Sequence, residues 1–141
     1  YGISLSTFSK NQIIGFYLAS EGVEQIRNMR DENGLKGQSW LTGFAANPSD
    51  PCYFGKTCII DAVNNTISAC SGDFGSCPVL KEDTITGFYG YTSSWADTNF
   101  RREIQLKSIN SNEISITVKM SWPQGVLTRS FQVRENILNW H

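Results

Sequence analysis

Four cysteines carry most of the reactive chemistry open to this chain. Cys52, Cys58, Cys70 and Cys77 fall within 26 residues, with spacings C-x5-C, x11 and C-x6-C. Structural zinc sites bring their ligands in C-x2-C knuckles, and this chain has no such pair. The only histidine is His141, at the last position, which leaves a mixed Cys/His site without a credible second ligand. An even number of clustered cysteines in glycine-rich, weakly charged surroundings points instead to two disulfides and an oxidising compartment. Spacing leaves the pairing open. Sequential bridges (52–58, 70–77) would tie off two similar loops, CYFGKTC and CSGDFGSC. Nested bridges (58–70 inside 52–77) would brace the hairpin between them. The sequential arrangement is preferred.

Other constellations are sparse. A Ser-His-Asp or Cys-His arrangement has no base, and the carboxylates Asp61, Asp73, Glu82, Asp83 and Asp97 stand singly. Asp73-Phe74-Gly75 spells a kinase metal motif without the rest of a kinase. Gly34-Leu35-Lys36-Gly37 is too short for a phosphate loop. No calcium-loop spacing occurs. The expectation is therefore a protein that is not an enzyme and holds no cofactor or metal. One segment could bind a ligand. GFYGYTSSW gathers Phe88, Tyr89, Tyr91 and Trp95 ahead of Arg101 and Arg102, a set able to stack on the bases of DNA or on surface glycans. In a strand, however, half of those aromatics would face the core.

The elements that must position these residues belong to one domain, since 141 residues suffice for a single core. A net charge of −1 and only 18% charged residues exclude a global basic field that would draw nucleic acid or anionic lipid. The chain divides into a helix (1–33), a loop and hairpin region holding all four cysteines (35–99), and antiparallel strands with a C-terminal tail (100–141). Asn33-Gly34 supplies the expected helix stop. Phe8, Phe16, Ala19, Val23 and Ile26 share one stripe, with Leu5 beside it. From Glu21 onward the opposite face is polar. Before it, Ile13, Ile14, Tyr17 and Leu18 add apolar side chains around nearly the whole circumference. A helix apolar all round must be buried on all sides. A compact chain of this length is only about 37 Å across, the length of residues 8–32 as helix, so the N-terminal half is expected to project and to need a partner.

In the middle region, QSWLTGF reads as a loop anchored by Trp40, Leu41 and Phe44. KTCIIDAVNNTISAC reads as a hairpin turning at Asn64-Asn65. Asn64-Asn65-Thr66 is also formally a glycosylation sequon. Strands are expected over 85–91, 100–109, 113–122 and 126–133, the last three forming a meander covered on one face by the helix. In the third of these, Ile114, Ile116, Val118, Met120 and Trp122 share one face. The tail would dock Leu138 and Trp140. Arg27 and Arg30 are expected to form solvated ion pairs with Asp31 and Glu32. The fold class is α+β: a long N-terminal helix on an antiparallel meander of about four strands, with a disulfide-containing region between.

The segment SKNQIIGFYLASEGVEQIRNMRDENGLKGQSWL (9–41) resembles the stretch that follows the membrane-spanning helix in minor pilin-like proteins, similar to the type IV pilus modification or minor pilin family. The paired cysteines, FRREIQL and the terminal NW add weaker matches. The resemblance implies a pilin-like domain, a minor pilin or pseudopilin of a type IV pilus or type II secretion-like filament. It implies an apolar anchor in the inner membrane ahead of Tyr1, assembly with other pilin subunits through Ile13, Ile14, Phe16, Tyr17 and Leu18, and a place on the cell surface. A tip adhesin or DNA- or glycan-binding module is the alternative.

Overall fold

A computed structural model describes the backbone of residues 2–139 and the side chains from Lys10 to Asn139. The expected roles of Leu5, Phe8, Trp140 and His141 lie outside the described side chains. The protein is α+β; among the described residues one N-terminal helix, α1 (Gly2–Leu35), is followed by eight strands in two antiparallel sheets. The strands are β1 (Thr57–Asp61), β2 (Thr66–Ala69), β3 (Lys81–Glu82), β4 (Tyr89–Gly90), β5 (Ala96–Asp97), β6 (Arg101–Asn110), β7 (Glu113–Gln124) and β8 (Leu127–Leu138). The larger sheet has the order β2-β1-β6-β7-β8 and the smaller one β4-β3-β5. The meander β6-β7-β8 has three strands rather than the expected four or so, and the middle hairpin β1–β2 adds to its edge through β6.

The helix continues past its expected stop. Gly37, with φ of 70°, is the left-handed residue that ends it: Gln38 N–H donates to Asn33 O and Gly37 N–H to Gly34 O. That pair of bonds satisfies carbonyls which the helix leaves open. Asn33 has another task. Its buried side-chain amide donates to Trp40 O and Thr42 O, at 3.1 and 2.9 Å, and fixes the loop that follows. Trp40 and Phe44 are buried from that loop as expected, with Leu41 packed against the core.

α1 lies chiefly on β7. Ile114, Ile116, Val118, Met120 and Trp122 are all buried, so the period-two pattern of β7 translates directly into one core face. β6 brings Ile104 and Leu106 alongside, in register with Val118 and Ile116. From the helix come Leu18, Ala19, Val23 and Ile26. Gly15 and Gly22 set the distance: a Cβ at Gly15 would meet the Phe131 ring at 2.9 Å, and one at Gly22 would meet the Arg102 side chain at 3.4 Å. The tail differs from expectation, since residues 134–138 extend β8 as strand, with Ile137 buried and Leu138 half exposed. The stretch 85–91 also differs, with only Tyr89–Gly90 as strand. Residues 83–88 curl into a turn around Asp83, which accepts from Ile85 N–H and the Thr86 hydroxyl.

The disulfides pair sequentially, Cys52–Cys58 and Cys70–Cys77. The first lies in the core and ties the Phe44 loop to β1. The second closes a surface loop on the far face of the sheet, where buried Glu103 accepts from Gly75 N–H and Cys77 N–H. Within that loop, hydrogen bonds from Phe74 N–H and then Gln105 hold the Asp73 carboxyl below the usual carboxylate range. The two bridges should therefore differ in reactivity. Cys70 is partly exposed whereas Cys52 and Cys58 are fully enclosed. Under limiting reductant, iodoacetamide followed by mass spectrometry should label Cys70 and Cys77 first, with a stability loss of about 2–3 kcal/mol from the short loop. Earlier labelling of Cys52 and Cys58 would contradict this assignment.

Candidate functional site

Arg101 and Arg102 were grouped by sequence with the aromatic segment, but the strand sends them to opposite faces. Arg102 shares the phase of Phe100, Ile104 and Leu106 and is fully buried beneath the helix. Its guanidinium donates to Leu18 O at 2.9 Å, to the Glu21 carboxylate at 2.8 Å and to Ile60 O at 2.7 Å. The position explains the last bond. β1 pairs with β6 only at Thr57 and Cys58, opposite Gln105 and Ile104, so Arg102 lies where the next rung toward Ile60 would be. Its side chain replaces that rung and reaches the helix as well. Arg102 is therefore a structural residue, and the ligand patch loses it.

The aromatic members do not form a platform either. Phe88 is 56% exposed on the Asp83 turn, whereas Tyr89 and Tyr91 pack against the core. The Trp95 ring closes over Gly90, where a Cβ would meet it at 3.2 Å and the Asp61 carboxylate at 2.9 Å. Asp61 is itself committed to the hairpin turn, accepting from Val63 N–H, Asn64 N–H and the Asn64 side chain. Asn65 takes a left-handed φ of 55° there. The turn accounts for both asparagines of the sequon. The phase of a single strand already separated Arg101 from Arg102; grouping by chain proximity concealed it.

The helix residues divide similarly. Leu18 is fully buried against the sheet and Ile14 packs on the core, which corrects their expected place on an outward surface. Ile13 (70% exposed), Tyr17 (60%) and Phe16 (50%) remain outward, although one face of Phe16 stacks on Phe131 at 4.7 Å. At 100° per residue, Ile13 and Tyr17 lie on the line directly opposite the Gly15–Gly22–Ile26 contact. The same line continues through Ser20, Glu24, Asn28 and Asp31, all exposed and polar. Arg27 pairs with Glu24 and with Glu135 of β8, and Arg30 pairs with Asp31 and donates to Leu138 O. These two arginines thus join the helix to β8, a role the local charge pattern did not indicate.

Among the described residues, no group of three or more His, Cys, Asp or Glu is placed to hold a metal ion, and no helix is long and apolar enough to cross a membrane. Comparison of the chain with protein-family models, curated proteins and solved structures gives no match.

Two predictions follow from the buried polar groups. Arg102→Met, which keeps an unbranched apolar stem but removes the donors, should lose about 3 kcal/mol in urea unfolding, because it strips partners from buried acceptors. Glu21→Gln should cost much less, since that side chain retains 24% of its exposure. Equal losses would show that the ion pair, not the carbonyl contacts, dominates. Tyr91 behaves differently. Burial pushes its phenol up to about 12, and its hydroxyl is enclosed without a hydrogen-bond partner among the described residues. A folded-state pKa raised above the ordinary 10.0 leaves stability intact below pH 10 and erodes it as pH rises toward 12. Tyr91→Phe should cost under about 0.5 kcal/mol at pH 7 and flatten that alkaline loss. Urea midpoints at both ends of the window measure it.

Proposed function

We propose that this chain is a structural, non-enzymatic subunit of a pilin-like filament, of the minor pilin or pseudopilin kind, assembling through the outward face of α1. The observation that carries the reading is the composition of that face. Ile13, Phe16 and Tyr17 stand at i, i+3 and i+4 and form one exposed apolar patch. Below it the same face turns polar, as expected for a helix whose lower half needs only its own sheet. The resemblance of residues 9–41 to minor pilin-like proteins and the antiparallel sheet under a long N-terminal helix support the same reading. Two disulfides suit an oxidising compartment outside the cytoplasm. In this reading an apolar segment ahead of Tyr1 holds the subunit in the inner membrane before assembly, and the finished filament lies at the cell surface.

The test is Tyr17→Asp in the full-length protein. A charge in a helix-packing surface costs several kcal/mol when buried unpaired, whereas on the isolated chain the exposed position should shift stability by less than about 0.5 kcal/mol. The expected result is loss of the subunit from sheared filaments with an unchanged urea midpoint for the 141-residue chain. Normal incorporation of the variant would count against the proposal.

A further inference from the structure

We propose that the face of the large sheet turned away from α1 carries a binding pocket for a small hydroxylated carboxylate, such as a sugar acid, with Arg101 holding the carboxylate. This inference does not rest on the filament reading. The pocket occupies about 300 Å³, and its lining includes Val79, Asn99, Arg101, Ser121, Pro123 and Thr128. Its floor follows from strand register. Arg101 lies opposite Ser121, Ser121 opposite Ser130, and Pro123 opposite Thr128, so short side chains surround one long cationic one. Its wall is the segment ahead of β3, held beside β6 by Leu80 N–H to Phe100 O and Thr98 N–H to Leu80 O at 2.8 and 2.9 Å.

The charge in this pocket is uncompensated. Among the described residues, Arg101 Nε is closed off from solvent without a hydrogen-bond partner, and the lining contains no carboxylate. Glu103, two positions further along the same face, is engaged by Gly75 N–H and Cys77 N–H. By contrast Arg27, Arg30 and Arg102 each face a carboxylate, although Arg102 Nε is likewise enclosed without a partner among the described residues, and Arg134 donates to the Ser115 hydroxyl. The residues that line the pocket supply no carboxylate to offset the guanidinium charge, and an incoming carboxylate would. A guanidinium presents a planar fork that matches a carboxylate with two parallel bonds. The Ser121 and Thr128 hydroxyls and the Asn99 amide can meet hydroxyl groups, while Val79 and Pro123 offer apolar contact to one face of a ring. The volume falls at the lower end of small-molecule pockets and suits a monosaccharide-sized guest.

Titration of the isotope-labelled 141-residue chain with sodium glucuronate, glucose and inorganic phosphate, followed by NMR, tests the assignment. Glucuronate should give saturable shifts centred on residues 98–101 and 121–128, and glucose none at the same concentrations. Arg101→Gln should weaken glucuronate about tenfold or more, as expected for loss of a two-bond charged contact, and Arg134→Gln should not. The comparison of glucuronate with glucose on the unaltered protein stands even if Arg101→Gln folds poorly. Absence of saturable shifts, shifts centred elsewhere, or equal affinity in Arg101→Gln would overturn the proposal. So would saturable binding of phosphate without binding of glucuronate.

Discussion

Arg102 joins three parts of the chain that are far apart in sequence: the helix at Leu18 and Glu21, the hairpin at Ile60, and the meander through its own backbone. A guanidinium in an apolar interior is tolerated only where its donors find acceptors, so each of those parts must stand at a fixed distance from it. Gly22 meets one side of the requirement, since the helix must come close enough for the side chain to lie along it. The early end of the β1–β6 ladder meets another, leaving Ile60 O free to accept. Apolar packing alone would hold a helix on a sheet with some freedom to slide or rotate. The directional bonds of Arg102 remove that freedom, and they thereby determine which helix side chains face away.

The region between helix and meander is organised differently. Trp40, Phe44, Cys52, Cys58, Ile60 and Leu80 tie it to the core, but its connecting loops lie largely outside that cluster, so apolar burial does not fix their shape. Side chains that bond to backbone fill the gap. Asn33 fixes the Trp40 loop, Asp50 accepts from Ala46 and Asn47 N–H, and Asp61 holds the hairpin turn. Glu103 holds the Cys70–Cys77 loop and Asp83 its own turn. The Cys70–Cys77 disulfide adds covalent closure to a surface loop, and Cys52–Cys58 ties loop to strand within the core. Most of the single carboxylates in this region thus serve loop geometry, which explains why they do not gather into a catalytic pair.

Periodicity made the regular elements legible. Five alternating residues from Ile114 to Trp122 set the core face of β7, and the hairpin followed from two β-rich arms around Asn64-Asn65. The short strands were not legible, because two residues carry no period and β3, β4 and β5 exist only through one another. The helix end was misplaced for a local reason: Asn33-Gly34 has the composition of a stop, yet Asn33 is used as a bracket and Gly37 takes the left-handed φ. At the candidate sites, the loss was of tertiary information. Arg102 reads as a surface charge until its strand phase is counted, and Leu18 reads as surplus apolar surface until the close approach at Gly15 and Gly22 fixes the helix rotation.

That rotation also bears on what the helix is for. With Gly15, Gly22 and Ile26 toward the sheet, the opposite line is fixed as Ile13, Tyr17, Ser20, Glu24, Asn28 and Asp31. Nothing in the domain's own stability asks for Ile13 and Tyr17 on that line, since neither is shielded there and polar residues serve four positions further on. An apolar side chain of this size recovers about 1.5–3 kcal/mol when it is fully buried, and at these positions only a second surface can bury it. In the proposed reading, the change from apolar to polar along one line of one helix marks the boundary between a half that meets a partner and a half that meets water. Arg27 and Arg30, which secure the lower half to β8, lie on the wet side of that boundary. The lower half of the helix is thus held to β8 by charge and the upper half by Ile14, Gly15 and Leu18 against the sheet, which leaves Ile13 and Tyr17 outward in a single orientation.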